Sequence, residues 1–419
     1  MIDDIRKSLN DPRKLEQLFR KSPKSFKEAF DSVYMESGDS IILRVWHERL
    51  HYVEPDGLSR AGTQRKDLIV VIILSLFSGL YAKLPAIFRG IDQNFFYMRN
   101  ISFFVFPALA AYFIQRNVHR NRRLSLHLFI LFLLFLLFIN LLPDMDQSQT
   151  VVLSCVHMPF VLWAMLGIAF LQQNYRQFQG RILYLRYNGE LLIYTALILI
   201  GGMVLTGITM ALFSAIKVDI EKFYLEYVVI FGMVASPIVG TYIVTNISRD
   251  KLNIAPIISK IFSPLFLITF SLYLIVMLIT GKSPYTDRDF LIVYNFMLVI
   301  VLAIAIFSIS DRAEQEKDLS IGILNIFLIL VVLILDIIAL SAIIYRLSTY
   351  GLSPNRFAVL GANLLIMVNL SGILITVLRY LKHHDLNQKL SGWIGQYLTL
   401  YTVWSVIVVV LFPFIFLFK

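Results

Sequence analysis

The sequence predicts an all-α fold: a polytopic transmembrane helix bundle of about 11 spans behind a short N-terminal helical segment. Three observations carry this. Hydrophobic residues make up 58% of the 419 and charged residues only 16%, a balance outside the range of water-soluble globules. Apolar runs long enough to cross a hydrocarbon core of roughly 30 Å recur down the chain. Lys and Arg gather in alternate connections between those runs, the pattern of a multi-pass protein. The formal net charge of +10 is therefore spread over loops, and no nucleic-acid partner is expected. The one cysteine, Cys155, lies within an apolar run and excludes an intrachain disulfide framework or a cysteine metal site.

Residues 1–67 form the first expected domain. Thirteen bases in Met1 to Lys66 are nearly cancelled by eleven acids, so the segment is no polybasic arm. No short apolar run with a small-residue cleavage site opens it, so the first apolar span is expected to stay as an anchor. Asp11-Pro12 and Ser22-Pro23 each read as an N-cap followed by proline at the first helical position. Phe26, Phe30, Val33 and Tyr34 then share one helix face, and Ile42, Trp46, Leu50 and Val53 share the next. Such helices either pack as a small cytoplasmic subdomain, open to a protein partner, or lie on the inner membrane surface.

Residues 68–419 form the second domain. Spans are expected at Leu68 to Arg89, Phe95 to Ile114, Leu124 to Leu142, Val151 to Leu171, Leu191 to Ile216 and Glu226 to Ile247. The remaining five run Ser263 to Thr280, Phe290 to Ser310, Leu319 to Ile344, Arg356 to Leu378 and Trp393 to Phe418. The basic connections hold Arg116, Arg120, Arg122 and Arg123; Arg176, Arg181 and Arg186; Arg249, Lys251 and Lys260; and Arg379, Lys382 and Lys389. All fall on the side of the N-terminus, which places that terminus inside and the C-terminus outside. Tyr175 to Tyr187 interleaves aromatics with arginine, the composition of an interfacial belt against lipid headgroups. Gly232, Ser236 and Gly240 repeat at four-residue spacing, which suits close helix packing.

His47-Glu48-Arg49-Leu50-His51 has the spacing of a zinc-protease helix, with Glu48 as the base for a bound water. Arg49 places a cation between the ligands, no distant third ligand follows, and Trp46 and Leu50 already account for an apolar helix face. A solvated helix face is the expectation, with zinc hydrolysis as the weakest alternative. No phosphate-binding glycine loop, serine elbow or paired-carboxylate motif occurs elsewhere, so neither cofactor nor catalytic residue is expected.

Ionisable groups inside lipid are costly, so each needs a reason. Lys83, Arg99, His157 and Asp336 all fall in the expected outer half, as do Asn100, Asn140, Asn295 and Asn363. One reading is a polar outer cavity in which Asp336 pairs with Lys83 or Arg99 and holds a charged substrate or responds to a proton. The other is that Lys83 and Arg99 snorkel outward. Beyond Asp336, Gly351 suits a left-handed turn, Ser353 a helix cap and Pro354 a helix start, giving a tight hairpin flanked by Arg346 and Arg356 with Tyr350 at its tip.

That hairpin, Arg-x-x-x-Tyr-Gly-Leu-Ser-Pro-x-Arg, together with Leu272 to Gly281 and a proline-bearing outer loop, resembles a bacterial polytopic membrane family known as domain of unknown function 4153. The resemblance runs from about Leu68 onward and implies a bundle in the bacterial inner membrane, with no chemistry attached. The expected function is that of a transporter or a handler of a lipid-linked substrate, with membrane lipids and an anionic or lipid-linked small molecule as partners. Asp336, Lys83, Arg99, Arg346, Tyr350 and Arg356 are the candidate binding residues. The alternative is a sensor or scaffold whose N-terminal helices bind a protein.

Overall fold

A computed structural model describes residues 2–9, 11–37, 41–51, 57–88, 90–117, 121–143, 148–215, 218–247, 263–272, 319–380 and 387–419. Between 274 and 306 it describes 274–275, 279, 285, 295, 298–303 and 306. Among these residues the protein is helical, with no strand. It divides into two compact units, Met1–Lys66 and Asp67–Lys419.

The first unit holds α1 (Ile2–Lys7), α2 (Pro12–Lys21), α3 (Pro23–Ser37) and α4 (Ile41–His51). Asp11 caps α2, its carboxylate accepting from the amides of Arg13 and Lys14 at 3.1 Å each, with Pro12 at the first helical position. Ile5, Leu15, Phe26, Phe30, Val33, Leu43 and Trp46 close a common core. The helices therefore bury their apolar faces against one another, as the subdomain reading requires. Arg49 joins this packing, its guanidinium 4.6 Å from the Trp46 ring centre and its Nη1 donating to Glu16 at 2.7 Å. Arg20 and Arg49 together hold the Glu16 carboxyl below its ordinary range.

The second unit begins within α5 (Gly57–Ala82), which stops before Lys83; α6 (Leu84–Ile87) follows, with Pro85 in its first turn. The expected first span is thus two helical pieces. Its exposed face, Leu68, Ile69, Ile72, Ile73, Leu76, Phe77 and Leu80, is a continuous apolar stripe suited to lipid. Then come α7 (Gln93–Arg116, with a 3-10 turn at Ile101–Phe104), α8 (Arg122–Leu141), α9 (Gln149–Leu171), α10 (Phe178–Ala215) and α11 (Glu221–Asn246). After the apolar helix α12 (Ser263–Leu272) follow α13 (Leu319–Tyr350), α14 (Pro354–Tyr380) and α15 (Asn387–Val406), whose path continues helically to Ile415.

Among the described residues, eight helices are long and apolar enough to cross a membrane. The protein is a multi-pass membrane protein. Of the three other expected spans, the first is α5 with α6, the seventh begins as α12, and Phe290 to Ser310 lies largely outside the described residues. One boundary is corrected: α10 starts at Phe178, not at Leu191, and its 38 residues reach about 57 Å. The stretch through Tyr187 that reads as a surface belt is the first part of that helix.

Two large buried clusters share the unit. One joins α7, α8, α9 and α10 with Val71 of α5 and Ile238 and Val244 of α11; the other joins α13, α14 and α15 with Ile182 and Leu185 of α10 and with Phe270, Leu298, Val301 and Ile306. The antiparallel pair α14 and α15 shows how tightly the second is built. Trp404 sits where a Cβ on Gly361 would stand, and Trp393 does the same at Gly372. Glycines and tryptophans are each eleven residues apart, about three helical turns, so both rings seat at once. Gly361→Ala is expected to lose about 1–3 kcal/mol of stability from overpacking, more than the about 1 kcal/mol gained in helix propensity. Trp404→Phe in that background should recover part of the loss. Thermal unfolding of the detergent-solubilised variants measures both; a stabilised Gly361→Ala protein contradicts this packing.

Candidate functional site

The six predicted binding residues do not converge. Arg99, 1% exposed on α7, donates from Nη1 to the carbonyls of Ile139 and Leu142 at 2.7 Å each and from Nη2 to Pro143 at 3.1 Å. These are carbonyls at the C-terminal end of α8, where a helix leaves its last acceptors unmet. Lys83 is buried at the break between α5 and α6, its ammonium 4.5 Å from the Tyr227 ring centre. Asp336 is fully buried on α13, and neither carboxylate oxygen has a hydrogen-bond partner among the described residues. The expected pairing of Asp336 with Lys83 or Arg99 is therefore corrected. Each cation is engaged locally, by backbone carbonyls or by an aromatic face, and neither reaches the carboxylate.

Three other polar groups of that layer, Asn100, Asn140 and His157, are likewise engaged in packing, whereas Asn295 Oδ1 and Asn363 Nδ2 are buried without a hydrogen-bond partner among the described residues. Asn100 and Asn140 exchange amide hydrogen bonds at 2.9 Å, with the Tyr81 hydroxyl donating to Asn100 at 2.8 Å. His157 bonds the Leu153 carbonyl through Nδ1 at 2.9 Å.

The hairpin between α13 and α14 follows its sequence closely. Gly351 takes φ +75°, the Ser353 hydroxyl accepts from the Arg356 amide at 3.4 Å, and Pro354 opens α14. Arg356 closes the turn from inside, its Nη1 donating to the carbonyls of Tyr350 at 3.0 Å and Gly351 at 2.7 Å. Tyr350 is exposed, and Arg346 is half-buried one turn earlier. Arg356 thus works as a clamp on its own turn.

In the first unit, His47 stacks on Tyr34 with ring centres 4.2 Å apart. Glu48 is exposed, and the His51 side chain lies outside the described residues. No three His, Cys, Asp or Glu side chains converge among the described residues.

The site that the fold does build lies at the opposite end of α7 from Arg99. Asp67 of α5 is buried and meets Arg116 of α7 at 3.0 Å. Arg116 Nη1 also donates to the Tyr112 hydroxyl at 2.6 Å and to Thr245 Oγ1 at 2.8 Å, and Nη2 donates to the Thr245 carbonyl at 3.1 Å. One guanidinium therefore ties the ends of α7 and α11 to the middle of α5. Beside it opens a cavity of about 770 Å³, with Arg116, Arg186, Glu190 and Asn117 on its polar side and Phe113, Phe170, Leu183 and Val244 on its apolar side. Tyr187, hydrogen-bonded to Thr241 at 2.7 Å, fixes the wall between α10 and α11.

Such a cavity is amphiphilic: two guanidiniums suit the oxygens of a phosphate or carboxylate, and the aromatic and aliphatic wall suits a hydrocarbon tail. In the sequence Arg116 stands out only as a topology marker, Arg186 as that and as part of the Tyr175-to-Tyr187 lipid-headgroup belt, and Glu190 not at all. The signal available was that both arginines belong to connections on the same side of the membrane. No family model, no curated protein and no solved structure matches the chain.

Proposed function

We propose that this protein is a bacterial inner-membrane protein that takes an anionic, lipid-linked substrate into the cavity between α7, α9, α10 and α11. The observation that carries this reading is the pairing of Arg116 and Arg186 with an apolar wall in one cavity large enough for a headgroup and the start of a chain. The bacterial inner-membrane location is supported by the resemblance of the Tyr350-to-Arg356 hairpin to a bacterial polytopic family. The excess of arginine at this end supports a cavity that opens toward the cytoplasm. Transport or modification of a lipid-linked molecule both begin with that capture step.

The test uses the full-length protein in detergent, offered an anionic phospholipid, phosphatidylglycerol, or zwitterionic phosphatidylcholine, with retained lipid counted by native mass spectrometry. Phosphatidylglycerol should be retained preferentially, and Arg186→Ala should reduce that retention about tenfold, as loss of one charge-assisted bidentate contact implies. Equal retention of the two lipids, unchanged in Arg186→Ala, sinks the reading.

A second reading, a protein-binding role for Met1–Lys66, is favoured by the closed core of that unit. A helical module with its own core can present a surface that loose amphipathic helices cannot. Deletion of residues 1–66 that leaves the cellular phenotype intact counts against it.

A further inference from the structure

We infer that Asp336 is a proton-binding site in the membrane interior, holding its proton in the conformation described here. Asp336 projects from the middle of α13, is 0% exposed, and sits among Val332, Leu335, Ala339 and Leu340 of its own helix, all buried. Ile366 and Leu370 of α14 and Ile394 of α15 complete the same cluster. The described residues that the 263–306 stretch adds to it are Phe270, Leu298, Val301 and Ile306, which bring no charge. No hydrogen bond or ion pair reaches either carboxylate oxygen among the described residues.

Among the described residues, the titratable group within electrostatic reach is the Tyr401 phenol of α15, whose oxygen accepts from Asn369 of α14 at 3.0 Å. On α13 itself, Arg346 lies ten residues further on, nearly three turns away, and Arg356 of α14 is committed to the hairpin carbonyls. A carboxylate needs donors or a cation to exist in such surroundings; a carboxylic acid needs neither to the same degree. The ionised state is favoured by a conformation that brings water or a cation to α13, which couples release of the proton to such a rearrangement. This goes beyond the capture of an anionic lipid and supplies a driving reaction for whatever movement follows it.

The experiment is labelling of the full-length protein in membrane vesicles with dicyclohexylcarbodiimide, an apolar reagent that reacts with protonated carboxyls. The acid O–H adds across one C=N bond, the proton going to nitrogen and the carboxylate oxygen to carbon. An oxygen-to-nitrogen acyl shift then leaves a stable N-acylurea, with nothing expelled. Peptide mapping by mass spectrometry should find the adduct on Asp336, and its yield should fall about tenfold per pH unit above the titration midpoint. An apolar peptide carrying one carboxylic acid, added to the same vesicles, serves as a control that the reagent is active. An unlabelled Asp336 beside a labelled control overturns the proposal, as does a yield independent of pH. Protection by added sodium at fixed pH overturns it too, in favour of a metal-cation site. The lipid-retention test reads the Arg116 and Arg186 cavity alone, so either idea can fail without the other.

Discussion

Replacing Arg99 by alanine is expected to destabilise the solubilised protein by roughly 3–5 kcal/mol, the range for breaking a buried charged contact. The guanidinium is 1% exposed and supplies three donors to the carbonyls of Ile139, Leu142 and Pro143. Those acceptors belong to the end of an apolar helix, where lipid offers no substitute donors. Truncation leaves all three unmet and also removes the guanidinium from the face of Phe95, 4.0 Å from its ring centre. Lysine should recover less than half of the loss, because a point-like ammonium cannot span the end of α8 as a planar fork does. Thermal unfolding of Arg99→Ala and Arg99→Lys measures both effects. The rival reading, in which Arg99 serves a bound anion, predicts intact stability together with lost ligand retention.

The same residue shows what a sequence makes legible and what it does not. That Arg99 lies inside a span follows from hydropathy; that its partners are carbonyls some forty residues on does not, because every residue has a carbonyl and none marks itself as unmet. Asp336 was recognisable as buried, since a short carboxylate far from any membrane edge cannot reach water. Span positions were legible from apolar runs, and the Gly351, Ser353 and Pro354 turn from rules that act within a few residues.

The start of α10 was hidden for the opposite reason. Its first turns carry Arg181, Arg186, Asn188 and Glu190, which break the apolar run while the helix continues. Their polarity is used against protein: Arg181 Nη1 donates to the Gly395 carbonyl at 2.8 Å, and Asn188 accepts from Trp163 Nε1 at 2.9 Å. The cavity was hidden with it, since its walls come from residues 113 to 245 and only the packing of four helices brings them together.

Breaking the Asp67–Arg116 pair should separate stability from binding, because the two partners face different surroundings. Arg116 retains Tyr112 and Thr245 when Asp67 is lost, so Asp67→Ala is expected to cost about 3 kcal/mol, the low end for a buried pair. Asp67 Oδ2 faces Arg116 and no other donor among the described residues, with its side chain only 3% exposed. Arg116→Ala should therefore cost more, about 4–5 kcal/mol, and the double variant less than Arg116→Ala alone, since removing both charges strands neither. Anionic lipid retention should move in opposite directions. In Asp67→Ala the cavity gains an uncompensated guanidinium and should hold phosphatidylglycerol more tightly; in Arg116→Ala it loses a ligand and should hold it less. A charge that joins three helices and also lines the cavity gives a bound anion a direct means of competing with Asp67 for Arg116. If Asp67→Ala weakens retention as much as Arg116→Ala does, the pair acts only as a structural tie and that competition does not occur.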